Sequence, residues 1–557
     1  MKHFITLFLF AIAGLFTGCG LNPQEKAVKS FIATHIDTIA PLEKSANLAY
    51  WDAATTGAKE QYQQYADMDL AMRKVRSNPD DFSKIKGWLE SGNITDPLLK
   101  RQLEILYSDY LENQIEPDLL KQIVDLGAEV EEKFSTFRAK IENKPVTNNE
   151  IDEILKTASD SKKRKKAWLA SKQVANEVAD DLIRLVKLRN LAARDLGFDN
   201  YHTLELTAAE QDVDEINRIF DELYGLTFES YNEMKSELDT ILAQNAGVQV
   251  DELMPWHYHD PFFQETPLVL DVDLDGYYAD HDVLELAKTF YTSIGLPTER
   301  ILANSDLYER EGKNPHAFCT DIDREGDVRV LCNLQNNERW METLLHELGH
   351  ATYDKMIKPE TPWLLRRQAH IFTTEAVAMY FGRLSRNALW MQDMLNLTDE
   401  QRLDIEKITV QYAKMKQLIF ARWAMVMFKF EQALYANPDQ DLNTLWWDLV
   451  EKYQGIQRPP KRNSPDWAAK IHFTIAPCYY HNYLLGELLA SQFYHFIGHE
   501  LVSAGNSDFR HVNQKEVGQF FIKEVFEPGA KYQWNEMITK ATGEPLTPKY
   551  FVQQFVQ

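Results

Sequence analysis

The residues His346-Glu347-Leu348-Gly349-His350 put two imidazoles four positions apart, with a carboxylate beside the first. On an α-helix, positions i and i+4 share one face, so both histidines can offer a nitrogen to a single zinc ion. Glu347 then stands next to the metal's open position. Zinc lowers the pKa of a bound water to about 7, where a carboxylate at hand can take its proton. This spacing suits hydrolysis of an amide. Two polar histidines on the wet side of a helix would spell the same string, so the surroundings must decide.

A catalytic zinc site needs a third protein ligand. Positions 353 and 356 are Tyr and Met, so no close third histidine follows the motif. Glu375 comes 25 positions after His350 (375 − 350), in the apolar run IFTTEAVAMYFGRL. A charged carboxylate among such neighbours needs a partner, and zinc is a good one. Arg366 or Arg367 could pair with it instead, and His370, just before the run, is a rival ligand.

The elements that must hold these groups are helices. Asn336 or Asn337 offers an N-cap for the motif helix, and Glu338 places negative charge in its first turn. Trp340, Leu344, Leu345 and Leu348 recur at helical spacing and give it a face to bury. Residues 24–245 are rich in Ala, Leu, Glu, Lys and Gln with apolar spacings near 3.6. An irregular aromatic stretch fills 249–278. Helical patterns resume at 281–294, 337–357, 371–386, 399–437, 441–454, 480–503, 513–525 and 531–541. Trp446-Trp447 and similar pairs read as core. No tandem repeat or phosphate-cradling glycine loop stands out.

At 557 residues the chain can bury a large core, in one lobe or two. Its net charge of −24 and pI near 5.1 argue against nucleic acid as a partner. Met1-Lys2-His3, the apolar stretch Phe4–Phe16 and Thr17-Gly18-Cys19 read as a secretory signal. The ending resembles a bacterial lipobox, with Phe16 where leucine is usual, so residues 1–18 are expected to be removed and Cys19 lipidated. Residues 19–557 would form a single catalytic domain, exported and held at the periplasmic side or cell surface by that lipid, as a monomer.

Export makes Cys319, Cys332 and Cys478 informative. Residues 315–333 look like a hairpin turning at Glu325-Gly326. With a two-residue loop, cross-strand partners sum to 651, and 319 + 332 = 651. At a non-hydrogen-bonded position the Cα atoms would lie about 4.5 Å apart, which permits a Cys319–Cys332 disulfide. Cys478 is then a buried free thiol.

HELGHATYD followed by IFTTEAVAMYF is similar to the gluzincin peptidases of the angiotensin-converting-enzyme type and their relatives, the thimet-oligopeptidase and oligopeptidase F group. The likeness runs from about Pro255 to Leu488. It implies a mainly α-helical, two-lobed ellipsoid around a deep central channel, with a small β-hairpin beside the zinc helix. It also implies one zinc ion on His346, His350 and Glu375, and Glu347 as general base and acid. His316-Ala317 resembles the family's strand edge, where the backbone pairs with an extended peptide. AKIHFTIAPCYYHNYLLGE (469–487) resembles its A-K-x-H and Tyr-x-x-Tyr stretch. Tyr483 would match the phenol that donates to the oxyanion and His472 its imidazole partner. Lys470 and Tyr480 would match groups that hold a substrate's C-terminal carboxylate. Read without the family, Tyr479, Tyr480 and Tyr483 could be core aromatics.

The likeness has departures. Aligning His472 and Tyr483 together takes a one-residue insertion, and Asn482 replaces the arginine of chloride-activated members. Tyr258 stands where the family's carboxylate-binding glutamine would fall, and Met379 replaces an acidic residue one turn after Glu375. The expected activity is zinc-dependent hydrolysis of short peptides, with release of C-terminal dipeptides. An endo-acting oligopeptidase is the alternative, and a non-catalytic peptide-binding lipoprotein a further one.

Overall fold

Five helices and one hairpin bear on the site. The helices are α1 (Pro23–Thr56), α2 (Glu338–Met356), α3 (Ile371–Gly382), α4 (Asp399–Ala436) and α5 (His481–Phe496). The computed structural model describes residues 21–270, 272–502 and 509–556. The expected signal segment and Cys19 lie outside the described residues. The class is mainly α, as expected. Among the described residues the strands form two small antiparallel sheets, β1 (Ala139–Ile141) with β2 (Lys144–Val146) and β3 (Phe318–Asp321) with β4 (Val328–Leu331).

Cap chemistry sets where the site helices begin. Asn337 accepts from the backbone N–H of Trp340 at 2.9 Å, starting α2 one residue inside the expected range. His370 caps α3 in the same manner, its Nδ1 accepting from the N–H of Phe372 at 3.2 Å. The motif's apolar residues Leu344, Leu345 and Leu348 are fully buried in the main core, which gathers side chains from Leu126 to Val552. A second, smaller core joins Val28, Ile32, Ile85, Leu103 and Tyr110 to Leu364.

Helices α2 and α3 cross at a glycine. A Cβ on Gly349 would lie 2.8 Å from the Cα of Ala378, inside contact distance. Only a residue without a side chain lets α3 come this close to the motif helix. Gly486 does the same for α5, whose Cβ would meet Met379 Sδ at 3.2 Å and Glu375 Cβ at 3.3 Å. The three helices carrying site residues are therefore packed at backbone distance.

The hairpin departs from its expected register. Phe318 faces Leu331, Cys319 faces Val330 and Asp321 faces Val328, so residues 322–327 form the loop. Acidic side chains build that loop. Asp321 Oδ1 accepts from the N–H groups of Asp323 and Arg324, and Asp323 Oδ1 from that of Glu325. Arg324 and Gly326 adopt left-handed conformations, φ 56° and 99°. With the register moved, Cys332 no longer faces Cys319, and the expected disulfide is absent. Cys319, Cys332 and Cys478 are all free thiols, and Cys478 is buried as expected.

Candidate metallopeptidase active site

His346 and His350 project from α2, and Glu375 from the start of α3. His346 Nε2 lies 3.2 Å from His350 Nε2 and 3.7 Å from Glu375 Oε2, and His350 Nε2 lies 3.9 Å from the same oxygen. Donors about 2.0–2.1 Å from one tetrahedral ion sit about 3.3 Å apart, so the three converge as zinc ligands must. They are the one group of metal-capable side chains of this kind found among the described residues. Burial pushes the His346 imidazole down to about 4 and that of His350 well below its usual value. Both are neutral at pH 7, the form that ligates.

The rival pairings of Glu375 fall away. Arg367 is paired with Asp109 at 2.9 Å, and Arg366 Nε donates to the Thr361 carbonyl. His370 caps α3 through Nδ1, and its Nε2 lies 3.0 Å from the Ala209 carbonyl oxygen. Burial and the Glu487 carboxylate push Glu375 up to about 7, and a cation between the ligands acts in the opposite sense.

Glu347 follows the first ligand and is buried. Burial and the Glu375 carboxylate push it up to about 8, while the nearby backbone of Cys319 acts in the opposite sense. The hairpin thus lies beside the candidate base, packed on the motif helix. Strand β4 is flanked on its other side by Asp306, whose N–H donates to the Val330 carbonyl at 3.0 Å. Strand β3 has no second neighbouring strand among the described residues, and at its far end Asn47 donates to the Asp321 carbonyl at 3.0 Å. His316 and Ala317 lead into the strand, His316 exposed and Ala317 half-buried.

The second polar cluster comes from the segment leading into α5. Tyr483 packs edge-on against Tyr479 and Tyr480, ring centres 5.3 and 5.4 Å apart, and burial, with the Glu375 carboxylate, raises its pKa. His472 packs edge-on against Tyr480 at 5.1 Å, and its buried Nδ1 has no partner among the described residues. Burial, with Lys470 nearby, holds that imidazole down to about 4. The chain between them turns through Cys478 in a left-handed conformation, φ 56°, within the stretch that holds the extra residue. His472, Tyr480 and Tyr483 come together despite it.

Lys470 is also here. Its ammonium donates to Gln264 Oε1 at 2.6 Å and lies 5.2–5.5 Å from the ring centres of Trp423, Tyr480 and Phe262. The Tyr480 hydroxyl accepts from Trp423 Nε1 at 2.7 Å. Gln264 is a residue that spacing alone does not single out. Tyr258, aligned with the family's glutamine, is turned away and buried, its hydroxyl donating to Asp239 at 2.9 Å. Two positions on, the buried Asp260 accepts from the N–H groups of Phe262, Gln264 and Glu265, and this turn delivers Gln264 to Lys470. A lone glutamine in an aromatic loop was the only signal. At the chloride position, Asn482 accepts from Gln211 Nε2 at 2.8 Å, and Gln211 Oε1 lies 2.7 Å from His481 Nε2. That buried network is built without the arginine.

A helical fold in which two histidines and a glutamate converge as a metal ion would require, with a second glutamate beside them, suits a metallopeptidase. The family profile described as peptidase family M3 matches residues 154–557, and the chain belongs to that family. A second profile, described as angiotensin-converting enzyme, matches residues 22–259, so the likeness reaches well beyond the stretch legible by eye. The angiotensin-converting enzyme of the leech Theromyzon tessulatum is 22% identical, over 97% of this chain and 93% of that protein. An oligoendopeptidase F homolog of Borreliella burgdorferi is 23% identical, over 86% of this chain and 78% of its own length. An inactive angiotensin-converting-enzyme-related protein of Caenorhabditis elegans is 22% identical over 59% of the chain and 40% of its own length. The protein is a zinc metallopeptidase by family.

Proposed function

We propose that the chain hydrolyses short peptides by one zinc ion on His346, His350 and Glu375, releasing dipeptides from their C-termini. The Lys470–Gln264–Tyr480 cluster carries the dipeptide reading. It sets a cation and an amide beside Tyr480, whose ring packs on Tyr483, so a C-terminal carboxylate anchored on it would place a nearby peptide bond at the metal. When bound there, zinc supplies a Lewis acid for a carbonyl oxygen and acidifies a coordinated water.

The chain's own groups do the rest. The β3 edge, entered through His316 and Ala317, pairs with the substrate backbone and holds it extended. Glu347 takes the proton of the attacking water and delivers it to the leaving amine nitrogen. Tyr483 and the neutral His472 donate to the oxygen that gains charge, and donors fixed there lower a barrier by about 3–4 kcal/mol each. The central channel that the family likeness implies would admit short peptides and exclude folded proteins.

Cleavage of one peptide with a free and with an amidated C-terminus tests the reading. Loss of most turnover on amidation, with dipeptide products by mass spectrometry, is expected. Equal turnover with internal cuts would favour an endo-acting oligopeptidase, the reading that the oligoendopeptidase F homolog supports. We also propose that the chain is exported and tethered through Cys19. The N-terminal pattern supports this, and no described helix is long and apolar enough to cross a membrane. Release of the protein into the soluble fraction by Cys19→Ala would bear it out.

A further inference from the structure

We propose that Thr374 is a positioning residue of the metal centre, its hydroxyl taking the Nδ1–H of His350 and so fixing which nitrogen of that ring faces the ion. The inference rests on the zinc reading above. His350 Nδ1 lies 2.7 Å from Thr374 Oγ1, while its Nε2 points to His346 and Glu375. A ring that ligates through the Nε2 lone pair carries its proton on Nδ1, so the imidazole is the donor and the hydroxyl the acceptor. Thr374 is 4% exposed, which leaves water little access to that proton.

The brace and a ligand are adjacent in sequence. Thr374 and Glu375 sit side by side in the first turns of α3, while His350 belongs to α2. One short segment therefore supplies a ligand of its own and orients a ligand from the neighbouring helix. Any slide of α3 along α2 would disturb both at once, and the close crossing at Gly349 resists such a slide.

The acceptor is neutral, and its charge state matters. Ligating histidines commonly donate their second N–H to a carboxylate, which raises ring basicity. Here Met379, one turn after Glu375, stands where an acidic residue would be, and its thioether packs against Gly486. A hydroxyl orients His350 without adding charge.

Zinc affinity of the full chain, measured by competition with a chromogenic chelator, tests this without recourse to activity. Thr374→Val keeps the side chain's shape and removes the acceptor, and its zinc Kd should rise about 10–100-fold. Thr374→Ala, which cannot overpack, should weaken zinc similarly. Thr374→Ser keeps the hydroxyl and should stay within about threefold of the original chain. Circular dichroism of the metal-free proteins identifies any variant that has not folded. If folded Thr374→Val and Thr374→Ala bind zinc as tightly as the original chain, the proposal is overturned. It is equally overturned if Thr374→Ser loses as much as Thr374→Val, since the methyl group would then be what matters. Failure of the unaltered chain to take up zinc is a different result and defeats the metal reading itself.

Discussion

Lys470 must be charged to hold a carboxylate, and its surroundings work against that. Burial pulls the ammonium down to about 8, although Asp260 and Glu265 act in the opposite sense. Below pH 8 the cation is present, and above it the anchor is lost. For peptides with a free C-terminus, kcat/KM should therefore fall as pH rises through about 8, while amidated peptides lack that limb. Superimposable profiles would remove Lys470 from substrate binding. At this scale the sequence was most legible where chemistry forces a residue type. His346, Glu347, His350 and Glu375 could each be named from spacing and apolar context. Gln264 and Thr374 could not, because a glutamine or a threonine acquires meaning only from the atom opposite it.

At the scale of elements, the site depends on how closely helices approach. Gly349 sits inside the motif itself, and its missing side chain lets α3 bring Glu375 to the histidines. Gly349→Ala should cost about 1–3 kcal/mol by overpacking and should weaken zinc binding as α3 is displaced. Chemical denaturation and chelator competition on the same variant check both effects. Unchanged stability and zinc affinity would mean that the crossing has slack. The site helices were readable within a few residues because capping groups and apolar spacing agree. The hairpin register was not. Glu325-Gly326 looked like a two-residue turn, but Asp321 and Asp323 fold their side chains onto backbone N–H groups and open a longer loop. That local choice moved Cys332 out of line with Cys319.

For the whole molecule, the N-terminal helices are part of the site's support. Asn47 on α1 donates from Nδ2 to the carbonyls of Asp321 and Ile322, at 3.0 and 3.2 Å, across 274 and 275 positions of sequence. Glu43 pairs with Arg324 in the same loop, and Tyr50 and Trp51 pack on Phe318. The hairpin that lies beside Glu347 is thus clamped by a helix that composition alone could call only helical. Such long-range partners leave no periodic trace, which is why the class of the N-terminal half was legible and its purpose was not. In the proposed function Glu347 serves as proton carrier beside a metal held by three other residues. Glu347→Gln, assayed for zinc content and peptide turnover side by side, tests it most directly. Zinc close to one ion per chain with turnover down about 10²–10⁴-fold is expected; retained turnover in the zinc-loaded variant would contradict it.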